Sequence, residues 1–134
     1  MINERKNNNI KKILLAAGES KRFGDKNKLS EIINGKPIIN HILDTLFEIF
    51  DPSELIVIVG HEHKIIKDLI FNKGAKILEN IDYRKGIGTS IALGVKKLNT
   101  DIDGVMIIPA DMPYINSKDL VNLEKKFIEF NCVK

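Results

Sequence analysis

Four basic side chains, Lys21, Arg22, Lys26 and Lys28, fall within the ten residues from Glu19 to Lys28, against two acidic ones. That segment holds +2 of the net +3 charge of the chain. It follows directly on the apolar run Ile13-Leu14-Leu15-Ala16-Ala17 and is bounded by Gly18 and Gly24. An arginine offers a fork of donors to phosphate oxygens, and a lysine offers a mobile point charge. Backbone N–H groups in a glycine-bounded loop add further anion donors. The chemistry to which this pattern points is the holding and neutralising of a polyphosphate. The alternative is a solvated basic loop, and the glycines directly after a buried strand weigh against it. The loop is not a Walker A loop, because Gly24 is not followed by Lys-Ser/Thr. No G-x-G-x-x-G fingerprint occurs either.

Three further places carry candidate chemistry. Asp111 follows an apolar run and precedes Met112-Pro113; a carboxylate there suits Mg²⁺ shared with substrate phosphates, or else a turn. Gly86 and Ser90 lie in a polar loop, where they let a ligand approach the backbone, or serve as a turn glycine and, with Thr89, as a helix cap. His61-Glu62-His63 has the wrong spacing for a helical zinc site, which uses positions i and i+4, and reads as exposed. Asp101-Ile102-Asp103 precedes its strand and reads as a turn on the opposite edge.

The elements that must position these residues alternate. The spacing predicts a strand over Ile13–Ala17 and a short extended piece over Leu29–Ile33. Asn34-Gly35-Lys36-Pro37 is a turn that starts a helix with Pro37 at its first position. The helix carries Ile39, Ile42, Leu43, Leu46 and Phe50 on one face and is stopped by Asp51-Pro52. A buried strand over Leu55–Val59 follows, then a helix from His61 to Phe71 with Ile65, Ile66, Leu69 and Ile70. A strand over Ala75–Leu78 leads to the loop Asn80–Ser90 and to a helix with Ile91, Val95 and Leu98 on one face. The last strand, Gly104–Ile108, precedes a helix capped by Asn116 or Ser117, with Leu120, Leu123 and Phe127 inward and Asp119 and Glu124 outward. Four alternations predict an α/β domain with a mostly parallel sheet covered on both faces. The loops after its first, third and fourth strands then share one edge, which gathers the basic loop, Gly86–Ser90 and Asp111 around one crevice.

The 134 residues suffice for a single domain, 1–134. The polar start, with Asn7-Asn8-Asn9, reads as a flexible leader over residues 1–11 without a signal peptide. No run approaches a membrane span. The single cysteine, Cys132, fits a reducing cytoplasm. A small net charge and few aromatic residues give no indication of nucleic acid as a partner.

Taken together, Leu15-Ala16-Ala17-Gly18-x-Ser20-x-Arg22-Phe23-Gly24 with Lys28 resembles the signature of MobA-like cytidylyl- and guanylyltransferases. Gly35-Lys36-Pro37 and Val59-Gly60-His61 are similar to later family elements. Asn80-x-Asp82-Tyr83-x-x-Gly86-x-x-x-Ser90 and Ala110-Asp111-Met112-Pro113 resemble the molybdenum cofactor cytidylyltransferase branch. The opening signature is shared with sugar-nucleotide pyrophosphorylases. The resemblance implies a Rossmann-like three-layer nucleotidyltransferase fold, here C-terminally short. It implies attack of an acceptor phosphate on the α-phosphorus of an NTP, with Mg²⁺ as cofactor and pyrophosphate leaving. Leu15, Ala16, Ala17 and Gly18 would frame the nucleotide, and Gly86 and Ser90 would hold the nucleoside. Arg22 and Lys28 would act catalytically by neutralising the triphosphate, with Lys26 near enough to share the role. Asp111 would carry the metal. Ala17 favours CTP over GTP, and the acceptor would be molybdopterin or a related phosphate-bearing molecule. Two other readings compete: a truncated, non-catalytic nucleotide- or partner-binding domain whose oligomer covers an exposed sheet edge, and an enzyme of the same class acting on a sugar phosphate.

Overall fold

The computed structural model describes residues 9–17, 28–60, 63–70, 74–98, 102–111 and 115–133. Its organising element is β1 (Ile10–Ala16), whose side chains are apolar on both faces apart from the lysines at 11 and 12. A strand of that kind is stable only where both faces are covered, as in a parallel sheet. Strand β1 pairs in parallel with β4 (Leu55–Val59) on one side and with β6 (Gly104–Pro109) on the other. Strand β5 (Lys76–Glu79) adds in parallel outside β4, giving the order β5-β4-β1-β6.

Side chains alternate across the sheet and build two cores. Leu14, Ala16, Val57 and Ile108 face α1 (Ile38–Ile49), α2 (His63–Ile70) and α4 (Ser117–Val133). Ile13, Ala17, Ile56 and Ile58 face the other way, with Leu93 and Leu98 from α3 (Ile87–Lys96) and its C-terminal end packed on them. The α/β class, the parallel sheet and the helices on both faces agree with the sequence reading. A small antiparallel hairpin, β2 (Ile32–Ile33) and β3 (Lys36–Pro37), precedes α1. Its two-residue turn puts Asn34 (φ 51°) and Gly35 (φ 84°) in the left-handed region, as an Asn-Gly hairpin turn requires. His41 Nε2 donates to the Ile33 carbonyl at 2.5 Å and ties the hairpin to α1.

Several local expectations are corrected. Strand β1 starts at Ile10, three residues before the expected Ile13. Residues Lys28–Ser30 form a 3₁₀ turn rather than extended chain. Pro37 is the N-cap residue of α1, not its first helical position. On α2, Ile65 is exposed while Ile66 and Ile70 are buried. On α3, Val95 is exposed and the row through Ser90 and Gly94 faces the sheet. The reason is close approach: a Cβ at Gly94 would lie 2.8 Å from Ile13 Cδ1. On α4, Leu120 is buried, but Leu123 and Phe127 are exposed beside the β6 edge. The side chain of Asn116, not that of Ser117, accepts at the start of α4, from the Lys118 N–H at 2.7 Å.

Glu124, expected on the solvent side, turns inward to Lys12. Lys12 is 1% exposed, and its three ammonium protons have three acceptors: Glu54 Oε1 at 2.7 Å, Glu124 Oε2 at 2.8 Å and the Ile10 carbonyl at 2.9 Å. The ammonium also lies 4.1 Å from the centre of the Phe50 ring. This one side chain joins β1, the end of α1, the 3₁₀ turn Pro52–Glu54 and α4. Removing one partner of a buried ionic cluster leaves the others uncompensated, although both carboxylates here retain some access to water. Lys12→Ala is expected to lower the unfolding free energy by about 2–3 kcal/mol. Lys12→Met should lose less, since its chain still packs on Phe50. Urea unfolding of the two variants checks both the loss and its order.

Candidate functional site

Parallel pairing sets the carboxyl ends of β1, β4, β5 and β6 along one edge. The bonding continues past the strands. The Ala110 N–H donates to the Leu15 carbonyl at 3.0 Å, which carries the exit of β6 along the end of β1 and places Asp111 there. The Asn80 N–H donates to the Val59 carbonyl at 2.7 Å, which does the same for the exit of β5 beside β4. Gly60 closes the convergence. A Cβ at Gly60 would meet Tyr83 Cβ at 2.7 Å, Ala17 Cβ at 2.9 Å and the Ala17 carbonyl at 3.0 Å. The end of β1, the end of β4 and the loop after β5 thus pack at a distance that only glycine permits at position 60.

The loop after β5 is built around one side chain. Asn80 is buried; its Oδ1 accepts the Asp82 N–H at 2.9 Å, and its Nδ2 lies 3.0 Å from Thr89 Oγ1 and 2.8 Å from Ser90 Oγ. Thr89 Oγ1 in turn lies 2.7 Å from the Gly86 carbonyl and 3.1 Å from the Asp82 carbonyl. The chain passes through a 3₁₀ turn, Tyr83–Lys85, and enters α3 at Gly86 with φ 116°. Neither Thr89 nor Ser90 is the N-cap of α3; that residue is Gly86, which has no side chain to cap with, and Thr89 Oγ1 donates to its carbonyl instead. Among the described residues nothing lies within 4 Å of a Cβ added at Gly86 or at Gly88, so none of them crowds the start of α3. At this end the Gly86 and Thr89 amides donate to the Tyr83 and Gly86 carbonyls at 3.2 and 3.1 Å, and the first turn carries the positive end of a helix dipole.

Of the expected site residues, Leu15, Ala16, Ala17, Gly86, Ser90 and Asp111 all come to this edge. Ala16 and Ala17 are buried and Ser90 is 3% exposed, whereas Asp111 is exposed. Lys28 opens the 3₁₀ turn Lys28–Ser30, which buried Leu29 anchors in the core. Gly18 and Arg22 lie outside the described residues, as do Lys21, Lys26, His61, Glu62, Asp101 and Met112-Pro113. Asp103 sits at the opposite, amino edge: it accepts the Asn9 N–H at 2.7 Å, which agrees with its reading as a turn residue. Among the described residues no group of three His, Cys, Asp or Glu side chains could hold a metal ion. Asp111 fits a hard cation in one way, as a single carboxylate completed by substrate oxygens. No helix among the described residues is long and apolar enough to cross a membrane. The residue whose role sequence reasoning missed is Asn80. The available signal was a polar amide directly after a buried strand, with two hydroxyls nine and ten positions on.

Comparison with known proteins gives these features a context. The profile of the MobA-like NTP transferase domain matches residues 12–132. The bifunctional protein GlmU of Thermosipho africanus is 32% identical over 123 residues, which cover 91% of this chain and 26% of that protein. The chain thus spans about a quarter of the length of the curated relatives it matches. A Mycobacterium tuberculosis protein solved with manganese superposes with a TM-score of 0.75 at 16% identity, covering 90% of this chain and 60% of that one. CMP:2-keto-3-deoxy-manno-octonic acid synthetase, solved with CTP, gives a TM-score of 0.74 at 18% identity, with 90% and 47% covered. These structural likenesses support the Rossmann-like nucleotidyltransferase fold.

Gly60 and Gly88 should respond in opposite directions to the same change. Gly60→Ala forces apart three packed segments and is expected to cost about 1–3 kcal/mol. Gly88→Ala adds a methyl in open space on a helix and should be neutral or stabilising by up to about 1 kcal/mol. Parallel urea titrations of the two variants test the convergence inferred at Gly60; equal responses would contradict it.

Proposed function

Since this chain belongs to the MobA-like NTP transferase domain family, we propose that it carries the nucleotide site of a nucleotidyltransferase that moves CMP from CTP to a phosphate-bearing acceptor such as molybdopterin. An oxygen of the acceptor phosphate forms a bond to the α-phosphorus, the bond from that phosphorus to the bridging oxygen breaks, and pyrophosphate leaves with the electron pair. The observation that carries this reading is the convergence at one sheet edge of Leu15–Ala17, the Asn80–Ser90 loop and Asp111. Backbone groups of Leu15, Ala16, Ala17 and Gly18 frame the nucleotide, and Gly86 and Ser90 hold the nucleoside at the open start of α3. Arg22 and Lys28 neutralise charge as it moves onto the leaving pyrophosphate, an effect worth most where fixed donors replace water. Asp111 holds Mg²⁺, which supplies further charge neutralisation at the phosphates. Manganese in one neighbour and CTP in another support the metal and the nucleotide.

A second reading changes only the acceptor. The CTP-bound neighbour is named for synthesis of a CMP sugar acid, which favours a sugar phosphate or sugar acid as the molecule to be activated. Pyrophosphate release with each acceptor class in turn separates the two. Release with neither, alongside intact nucleotide binding, would favour the non-catalytic domain.

Calorimetric titration with CTP, GTP, UTP and ATP, each with and without Mg²⁺, tests the reading. CTP with Mg²⁺ is expected to bind preferentially. Arg22→Ala or Lys28→Ala should raise the Kd about 10- to 100-fold, the range for loss of a hydrogen bond to a charged group. Asp111→Asn should abolish the Mg²⁺-dependent part of binding and leave the Mg²⁺-free part unchanged. Unaltered affinity in all three variants would overturn the assignment.

A further inference from the structure

Asn80 does more at this edge than hold a turn. The Asp82 N–H can be met only by an acceptor, so the 2.9 Å contact fixes which end of the Asn80 carboxamide is oxygen. The amide nitrogen therefore points at Thr89 Oγ1 and Ser90 Oγ, 3.0 and 2.8 Å away. It has two protons and two hydroxyl oxygens to receive them. Both hydroxyls thus accept from Asn80 and keep their own protons to give away. Thr89 spends its proton within the loop, on the Gly86 carbonyl at 2.7 Å or the Asp82 carbonyl at 3.1 Å. Among the described residues none takes the proton of Ser90, although Ser90 is 3% exposed. A buried hydroxyl with an unused donor is costly unless something else receives it. Ser90 lies one helical turn from Gly86, where no described residue comes within 4 Å of an added Cβ.

We propose that Asn80 is a positioning residue for nucleotide binding: its carboxamide reserves the Ser90 hydroxyl proton for an acceptor atom of the bound nucleoside and locks residues 82–86 against the start of α3. The proposal rests on the nucleotide-site reading given above. It makes asparagine, and not its isostere aspartate, the required residue. A carboxylate at position 80 would still accept the Asp82 N–H. Its second oxygen would accept from Ser90, so the hydroxyl proton would be turned inward and lost to the ligand.

A double-mutant cycle in CTP affinity, with Mg²⁺ present, tests this. Asn80→Asp and Ser90→Ala should each weaken binding about tenfold or more, as loss of one well-placed hydrogen bond to a ligand implies. On the Ser90→Ala background, Asn80→Asp should change the Kd by less than about twofold, because the proton it would redirect is already gone. Circular dichroism and urea unfolding establish that each variant is folded. If Asn80→Asp does not fold, Asn80→Ala carries the same cycle with the same non-additivity. Losses that multiply, or an Asn80 variant that binds as wild type does, overturn the positioning role and leave the nucleotide site standing. Failure of the wild-type chain to bind any of the four nucleotides overturns the site and this role with it.

Discussion

The parallel pairing of β1 on both of its edges is the constraint from which the site follows. A strand bonded on both sides and covered on both faces has no freedom of register. Its neighbours β4 and β6 run in the same direction, so each connection must cross from one edge of the sheet to the other through a helix. Every loop after a strand therefore meets the others at one edge, however far apart they stand in sequence. Residues 15–17, 60, 80–90 and 111 become neighbours for this reason and no other. The helix between β5 and β6 starts at that same edge, which turns the positive end of its dipole toward whatever binds there.

What holds the edge in shape differs from what holds the core. The interior of the domain is mainly Ile, Leu and Val. The converging loops bury little apolar surface, and their order comes from directed bonds and close approach. Asn80 satisfies a backbone amide and two hydroxyls. Gly60 lets Ala17 and Tyr83 meet over it. Such contacts are sensitive to geometry, since a buried polar group loses its full solvation when its partner moves. A site built this way is preorganised before a ligand arrives, and that lowers the ordering cost of binding.

Much of this was legible in the sequence, and the failures have physical causes. Strand β4 reads residue for residue, because five consecutive apolar side chains, four of them β-branched at 56–59, admit little else. Strand β1 reads three residues short because Lys12 looks like a solvent residue. Only its two distant carboxylate partners, Glu54 and Glu124, make it a core residue, and no local pattern announces a pair 112 positions apart. The covered faces of α3 and α4 differ from their apolar stripes for a related reason. Periodicity marks which residues are apolar, whereas the covered face is set by what lies opposite: Ile13 close against Gly94 in one case, Lys12 reaching for Glu124 in the other. That residues 15–17 and 111 share one edge is legible because the edge follows from topology alone. The buried donor geometry of Asn80 is not, since a hydrogen-bond network depends on the loop conformation that it creates.

The two ends of β1 are specialised in opposite ways. At the amino end, Lys12 gathers an ion pair from the turn before β4 and another from α4, and Asp103 at the start of β6 binds the Asn9 amide. Large, charged and mutually satisfied side chains lock the sheet and helices together there. At the carboxyl end the residues of β1 and β4 shrink to Ala16, Ala17 and Gly60, and the groups on offer are backbone amides, hydroxyls and exposed carboxylates, Asp111 among them. A ligand carrying many oxygen atoms needs close approach to many donors, and bulky side chains at that edge would deny it. Rigidity at the amino end permits small residues at the other, because the positions of the strand ends are then fixed without packing from the loops themselves. Stability concentrated at the amino end of β1 is thus the physical condition for an open, polar binding edge at its carboxyl end.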